Sequence, residues 1–279
     1  MNRHFIIMAI IMALLPWNIA VCASRDSVEA RAKKEEEIPP NYFAIAFHRP
    51  TYILPWYYTG SPDNAVYSGN TPNNEKLKNS EVKYQFSVKV PVWQHIFNHD
   101  SSLYLAYTQL SYWQLYNHNS FFRESDYEPE IFLSNELRKS FGKWRLDFFN
   151  IGASHQSNGY GNALERSWNR LYVEATSSVG NWMISVKPWL ILSTNNNNNN
   201  IGQFMGYGQI LVGYKYNKQL FSLMYYGIRK PSAMLSWSFP LLPWVKGYVQ
   251  VFSGYGQSLI EYNHHTTSAG IGIAFADWV

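Results

Sequence analysis

The sequence predicts an all-β fold, a closed transmembrane β-barrel. Aromatic residues make up 17% of the chain and charged residues only 15%, while the mean hydropathy is negative. This combination is typical of barrel strands, which alternate lipid-facing and lumen-facing residues and carry aromatic girdles. After residue 23, no apolar run is long enough for a spanning helix. In lipid, a sheet can satisfy its edges only by closing on itself.

Residues 1–23 are predicted to be a secretory signal peptide. Arg3 supplies a basic start, an apolar stretch follows, and Val21 and Ala23 are the small residues before the cleavage point. Cys22 raises the alternative of a lipoprotein cysteine, although Val21 is a poor residue to precede it. Cleavage after Ala23 would leave no cysteine, and therefore no disulfide, thiolate metal site or cysteine nucleophile.

The remaining chain is predicted to contain one domain. Residues 24–41 form a charged segment, and residues 42–279 form a single β-barrel domain without a linker to a second one. Once residues 1–23 are removed, 22 basic residues face 19 acidic ones. This small excess gives no reason to expect nucleic acid as a partner.

Alternation of apolar and polar residues predicts the strands. The pattern is clearest at residues 81–93, where Val82, Tyr84 and Phe86 alternate with polar residues over a length that crosses a bilayer at barrel tilt. Twelve strands are predicted, at residues 42–58, 81–93, 103–116, 127–138, 143–157, 167–179, 181–194, 202–216, 219–229, 232–239, 245–256 and 268–279. An even number of antiparallel strands is typical of outer-membrane barrels. The asparagine run at residues 195–200 is predicted to be a loop without chemistry.

Polar residues extend the apolar faces of two neighbouring strands. With a period of two, His155 and Ser157 share a face with Ile151, and Asn169 shares a face with Leu171. An imidazole, a hydroxyl and an amide on one face could act as base, nucleophile and orienting group. Polar residues are also normal at strand ends, so the spacing alone leaves both interpretations open.

The same residues carry a family resemblance. Residues 155–159 and 166–172 resemble the signature of the outer-membrane phospholipase A family. Further similar stretches, at residues 107–115, 122–129, 181–189, 205–207 and 253–260, extend the resemblance over most of residues 42–279. It implies a twelve-stranded barrel of the bacterial outer membrane whose active site faces lipid.

The resemblance also implies an activity and residue roles. Ser157 matches the nucleophile, His155 the general base and Asn169 the residue that orients the imidazole, while Gly159 lies near the backbone N–H that stabilises the oxyanion. The implied reaction is calcium-dependent hydrolysis of phospholipid acyl esters at the A1 and A2 positions, with lysophospholipids as further substrates. Gln109 matches a glutamine on the lipid-exposed face that is linked to the asparagine and to dimer contact. That face would equally suit contact with lipid tails alone.

The resemblance further implies an active homodimer, with one calcium ion per active site at the dimer interface. By position, the ligands are the carbonyl oxygens of Gly159 and Tyr160, the side chain of Glu165 and the side chain of Ser120. Glu165 stands where the family commonly has serine, and a carboxylate is a better calcium ligand than a hydroxyl. A solvated turn carboxylate is the alternative for Glu165.

Two other functions stay open at this point. One is a non-enzymatic outer-membrane barrel, a channel or adhesin, built on a decayed hydrolase scaffold. The other is transfer of the acyl group to another lipid instead of water. The presence of His155, Ser157 and Asn169 together favours a hydrolase over a decayed scaffold.

Overall fold

The computed structural model describes residues 45–97 and 100–278. The signal-peptide prediction for residues 1–23 and the charged segment 24–41 lie outside the described residues. The strands are β1 (Ala46–Phe47), β2 (Thr51–Thr59), β3 (Ser80–Gln94), β4 (Ser101–Trp113), β5 (Phe122–Phe141), β6 (Trp144–Ser157), β7 (Ser167–Val179), β8 (Trp182–Thr194), β9 (Gly208–Tyr216), β10 (Gln219–Tyr226), β11 (Ser232–Leu242), β12 (Val245–Tyr255) and β13 (His265–Ala276). The short helix α1 (Ile201–Met205) precedes β9, and 3-10 turns lie at Pro72–Asn74, Asn162–Leu164 and Asn196–Asn198. No helix in residues 45–97 or 100–278 is long and apolar enough to cross a membrane.

The strands form one closed antiparallel ring. From β2 to β13 each strand pairs with the next along the chain, and β13 pairs back with β2. Strand β1 continues the line of β2, because Ala46 lies opposite Lys89 on β3. The ring therefore has twelve strand positions, which confirms the predicted fold class and count. Closure leaves no open sheet edge.

The bounds of most predicted strands differ by a few residues from the structure, as in β5, which begins at Phe122 and not at residue 127, and two further differences have a structural cause. The predicted strand 202–216 begins only at Gly208, because helix α1 occupies the preceding residues and packs Ile201 into a buried cluster. Of the predicted first strand, 42–58, residues 42–44 lie outside the described residues, and the rest is divided into β1 and β2 by residues 48–50, which include Pro50. Proline has no N–H to give to the sheet, so an interruption at this position is expected.

Successive residues of each strand face opposite sides of the ring. On β7, Trp168 and Arg170 are buried in the lumen, whereas Leu171 is exposed on the outside. Large exposed apolar side chains recur on the outward faces of other strands, among them Trp56, Phe86, Leu105, Phe122, Ile131, Ile151, Val186, Leu190, Phe221 and Ile271. This apolar outer surface and polar lumen match a barrel in lipid.

The loop between β12 and β13 is held inside one mouth of the barrel. Arg123, almost fully buried, donates to both carboxylate oxygens of Glu81 at 2.7 and 2.9 Å and to Glu261 of the loop at 2.8 Å. Main-chain N–H groups of the same loop donate to Asp126 and Glu124, at 3.0 Å each. The loop therefore covers the lumen at the end where the longer loops lie.

A second group of ion pairs crosses the lumen. Arg49 donates to Glu128 at 2.7 Å and to Glu130 at 2.6 Å, Arg170 donates to Glu128 at 2.5 Å, and Lys187 donates to Glu130 at 3.1 Å. These side chains come from β5, β7, β8 and the residues before β2, so they link opposite walls. A lumen that is filled by paired side chains argues against an open water channel through the barrel.

Replacing Arg123 by Met should destabilise the barrel strongly. The buried carboxylates of Glu81 and Glu261 would lose the guanidinium that pairs with both, and breaking a buried ion pair costs about 3–5 kcal/mol. The measurement is the free energy of unfolding by urea in lipid vesicles. Arg229 is exposed and serves as control. Its replacement by Ala should change the free energy by no more than about 0.5 kcal/mol, and equal losses in the two variants would contradict this description of the lumen.

Candidate active site

His155, Ser157 and Asn169 lie together on the outer face of the barrel. Ser157 is the last residue of β6, and Asn169 is the third residue of β7. The register of these strands places His155 directly opposite Asn169, and Ser157 opposite Ser167. The outward face predicted from the alternation is therefore the one that these residues occupy. They lie at the barrel end that carries the longer loops.

A hydrogen bond orients the imidazole. Nδ1 of His155 lies 2.8 Å from Oδ1 of Asn169, and the amide nitrogen of Asn169 donates to Oγ of Ser193 at 2.8 Å. With the amide oxygen facing the ring, Nδ1 carries the proton and Nε2 is left to accept one. Ser193 on β8 was not found by sequence reasoning. Only the β7–β8 register, which pairs Asn169 with Ser193, identifies it.

Ser157 shares the face of His155 without being bonded to it. Among the described residues its hydroxyl makes no hydrogen bond, and His155 is exposed with Nε2 directed to no partner. Side chains two residues apart on a strand point to the same side. Catalytic hydrogen bonds are often made only once substrate is bound, so this arrangement remains compatible with a nucleophile and its base.

The lumen side of the same strands is tightly held. Gln156 lies between His155 and Ser157 and points inward, where its Oε1 accepts a 2.8 Å hydrogen bond from the indole N–H of Trp168. Trp168 is fully buried, and the guanidinium of Arg170 lies 4.1 Å from the centre of its ring. These contacts fix β6 against β7 at the level of the candidate catalytic residues.

The turn after β6 presents free main-chain groups. Asn158 is buried and holds the turn through its side chain, accepting from the N–H of Arg166 at 3.0 Å and donating to the carbonyl of Leu164 at 2.9 Å. Gly159 has a φ of 68°. Within the described residues, the N–H of Gly159 donates no hydrogen bond, and the carbonyl oxygens of Gly159 and Tyr160 accept none.

The four predicted calcium ligands are only partly brought together. Tyr160 turns its side chain inward, where the hydroxyl donates to the carbonyl of Arg123 at 3.0 Å and burial raises its pKa to about 12. Its carbonyl is therefore the group that it can offer a cation. Glu165 lies at the far end of the same turn, whereas Ser120 is exposed on the loop before β5 and, among the described residues, makes no hydrogen bond to the turn.

These donors are of the type that calcium uses. Residues 45–97 and 100–278 contain no cluster of three or more His, Cys, Asp or Glu side chains placed to hold a metal. Main-chain carbonyls, a single carboxylate and water are nevertheless sufficient ligands for calcium, which takes six to eight oxygen atoms. The two unpartnered carbonyls and the Glu165 carboxylate, which belong to the same turn, are oxygen donors and so fit such an ion better than a transition metal.

Gln109 is not brought to Asn169 within one chain. It lies on the outer face of β4, where it accepts from Tyr107 and donates to Ser111, both at 3.1 Å. Strands β5 and β6 stand between β4 and β7. The predicted link between Gln109 and the asparagine is therefore absent from the single chain that the structure describes.

Comparison with known proteins identifies the family of this chain. The sequence model of the phospholipase A1 family matches residues 28–275. The chain belongs to the phospholipase A1 family. A relative from Proteus vulgaris, named phospholipase A1, is 36% identical over 260 residues, which cover 91% of this chain and 88% of the relative.

Two solved structures share the barrel. The Salmonella typhi outer membrane phospholipase, described as a dimer with bound calcium, has a TM-score of 0.83 and 32% identity, covering 92% of this chain and 99% of the other. The Escherichia coli outer membrane phospholipase A, as an active-site mutant with asparagine replaced by alanine, has a TM-score of 0.82 and 34% identity, covering 91% and 99%. Family and architecture together make this chain an outer-membrane β-barrel.

Replacing Gly159 by Ala should strain the turn of this family member. A non-glycine residue with positive φ costs about 1–2 kcal/mol, and a Cβ here would lie 3.0 Å from the ring of Tyr127. The free energy of unfolding should fall by about that amount. Gly161 is the matched control, because its φ is −110° and a Cβ would meet nothing within 4 Å. A Gly161→Ala variant as unstable as Gly159→Ala would contradict the described turn.

Proposed function

We propose that this chain hydrolyses acyl esters of glycerophospholipids with a Ser157–His155–Asn169 triad on the lipid-facing side of the barrel. The observation that carries the proposal is the 2.8 Å hydrogen bond between His155 and Asn169 on that face, two residues from Ser157. The active-site asparagine of the Escherichia coli relative supports the role of Asn169.

The position of the triad fits a substrate that stays in the membrane. Ser157 lies at the end of a strand, near the rim of the barrel, and apolar residues such as Ile151 and Leu171 continue its face toward the middle. The acyl esters of a phospholipid lie between the head groups and the hydrocarbon core. A lipid beside the barrel therefore brings its ester to the level of Ser157 while its chains contact the apolar face.

The reaction proceeds through an acyl-enzyme. Ser157 Oγ attacks the ester carbonyl carbon as Nε2 of His155 takes the hydroxyl proton, and that proton then passes to the departing glycerol oxygen. His155 next takes a proton from water, which attacks the carbonyl carbon of the acyl-enzyme, and it returns that proton to Ser157 Oγ as the bond to the acyl group breaks and the fatty acid is released. Asn169 keeps Nδ1 protonated, although a neutral amide stabilises imidazolium less than a carboxylate would.

The turn after β6 supplies the oxyanion site. The unbonded N–H of Gly159 is one donor to the negative oxygen of the tetrahedral intermediate. Calcium would be held by the carbonyls of Gly159 and Tyr160 and by the side chains of Glu165 and Ser120, with ligands drawn from both copies of a dimer. When bound, the ion supplies positive charge beside the developing oxyanion.

Dimerisation is the proposed means of activation. The outer face of β4 carries Leu105, which is exposed, beside Tyr107 and Gln109. A second barrel packed against this face would enclose the acyl chains between the two apolar surfaces. The Salmonella typhi relative is described as a dimer with bound calcium, which supports a homodimer of this chain. We propose activity at both the A1 and A2 positions and on lysophospholipids, because an open lipid-facing site does not enclose the glycerol.

Refolded protein should release fatty acid from phospholipid in mixed micelles when calcium is present. Ser157→Ala should reduce release by at least about a thousandfold, because loss of a triad nucleophile removes most of the rate enhancement, while the variant keeps the heat-modifiable gel mobility of a folded barrel. Wild-type rates in that variant would remove the triad assignment.

Addition of EDTA separates the parts of the proposal. Loss of release with EDTA supports calcium and the turn ligands. Release unaffected by EDTA keeps the triad and removes the calcium site. No release in either condition, from a verified folded barrel, would favour a non-enzymatic channel or adhesin, and product analysis by mass spectrometry distinguishes free fatty acid from transfer to another lipid.

A further inference from the structure

The asparagine run at residues 195–200 contacts the turn that follows β6. The run comprises the residue after β8, a 3-10 turn at Asn196–Asn198, and the residues leading into α1. It was predicted to be a loop without chemistry. In the structure, two of its six side chains bind the main chain of the active-site turn and of β7, whereas others face solvent.

Asn198 binds the start of β7. Its side chain is fully buried, accepts from the N–H of Ser167 at 3.2 Å and donates to the carbonyl of Ser167 at 3.0 Å. The N–H of Asn195 donates to the same carbonyl at 2.9 Å. Ser167 lies directly opposite Ser157 in the β6–β7 register. A side-chain amide thus binds the residue that pairs with the proposed nucleophile.

Asn197 binds the other part of the turn. Its amide nitrogen donates to the carbonyl of Asn162 at 2.7 Å and to the carbonyl of Glu165 at 3.2 Å. Glu165 is a proposed calcium ligand, and its carbonyl also accepts from the side chain of Arg166 at 2.9 Å. The carbonyl of Glu165 is therefore held by two donors, Arg166 and Asn197, and these contacts do not involve its carboxylate, which can bind an ion.

The run is itself anchored on the side away from the turn. Oδ1 of Asn200 accepts a 2.6 Å hydrogen bond from the hydroxyl of Tyr262, which belongs to the loop held in the barrel mouth. Ile201, the next residue, is fully buried in the cluster that also contains Trp168. The asparagine run consequently bridges the buried mouth of the barrel and the exposed turn.

We propose that Asn197 and Asn198 are positioning residues, which hold the 158–166 turn and the start of β7 so that the calcium ligands and the Gly159 N–H face Ser157. The inference rests on the proposed function, since it concerns the same site. An amide is required at position 198 because it must accept from an N–H and donate to a carbonyl at once. A carboxylate in its place would repel the carbonyl of Ser167.

The run contains its own matched controls. Asn196 and Asn199 have the same chemistry and lie beside the proposed residues, yet both are exposed and neither side chain makes a hydrogen bond within the described residues. Four single variants to Ala, at positions 196, 197, 198 and 199, are therefore compared in the full-length protein refolded into micelles. Gel mobility and the urea midpoint establish that each variant is folded.

Calcium affinity is measured by isothermal titration calorimetry in the Ser157→Ala background, which does not depend on turnover. We expect Asn197→Ala and Asn198→Ala to raise the dissociation constant for calcium at least about fivefold, which corresponds to about 1 kcal/mol. In the protein that retains Ser157, the same variants should lower kcat more than they change KM. Asn196→Ala and Asn199→Ala should match the parent protein. Hydrogen exchange of the Ser167 N–H should accelerate in Asn198→Ala alone.

Several outcomes would overturn the inference. One is a lower urea midpoint in Asn197→Ala and Asn198→Ala with unchanged calcium affinity and kcat, because the contacts would then be structural only. Equal changes in calcium affinity and kcat in all four variants would also overturn the inference. If the parent protein neither binds calcium nor releases fatty acid, the proposed function fails instead. Exchange of the Ser167 N–H and of the amides of residues 158–166 then decides the positioning role separately, and unaltered exchange in both variants would overturn it.

Discussion

A closed ring of main-chain hydrogen bonds is the constraint on which the rest of this structure depends. Twelve antiparallel strand positions pair around the ring, and β13 returns to β2. Since successive side chains must then point alternately into the lumen and out to lipid, chemistry on this scaffold is confined to one of two surfaces. The lumen surface is occupied by ion pairs such as Arg123 with Glu81. The candidate triad lies on the other surface, where a lipid can reach it.

The alternation between lumen-facing and lipid-facing residues explains which features of the fold and the candidate site can be predicted from the sequence. A period of two does not depend on which strands are neighbours, so the outward position of His155, Ser157 and Asn169 follows from the sequence alone. The number of strands follows from the same period. Ser193 and the lack of contact between Gln109 and Asn169 depend on register and strand order instead, which no local pattern contains. The Gly202 region was predicted as strand because its tertiary packing through Ile201 is invisible in the sequence.

The asparagine run is a second case in which the local sequence does not predict tertiary contacts, here in a loop. Six identical residues give no local signal that separates Asn198, which is buried against Ser167, from Asn199, which is exposed. Only the placement of the run over the end of β7 distinguishes them. The candidate active site is thus supported on two sides, by the contact of Gln156 with Trp168 from the lumen and by the asparagine side chains from the loop. Fluid lipid cannot hold a side chain in one position, so residues on the lipid-facing surface that need exact placement must be held by contacts within the protein.

Ser157 is the proposed nucleophile of a lipid-facing hydrolase, and covalent labelling can detect its reactivity without turnover of a lipid substrate. The refolded protein would be treated with a fluorophosphonate that bears an alkyl chain, and the modified peptide identified by mass spectrometry. We expect one adduct, on Ser157, that is lost when His155 is replaced by Ala. An adduct on a different serine, or fatty-acid release that persists while Ser157 is fully modified, would contradict it.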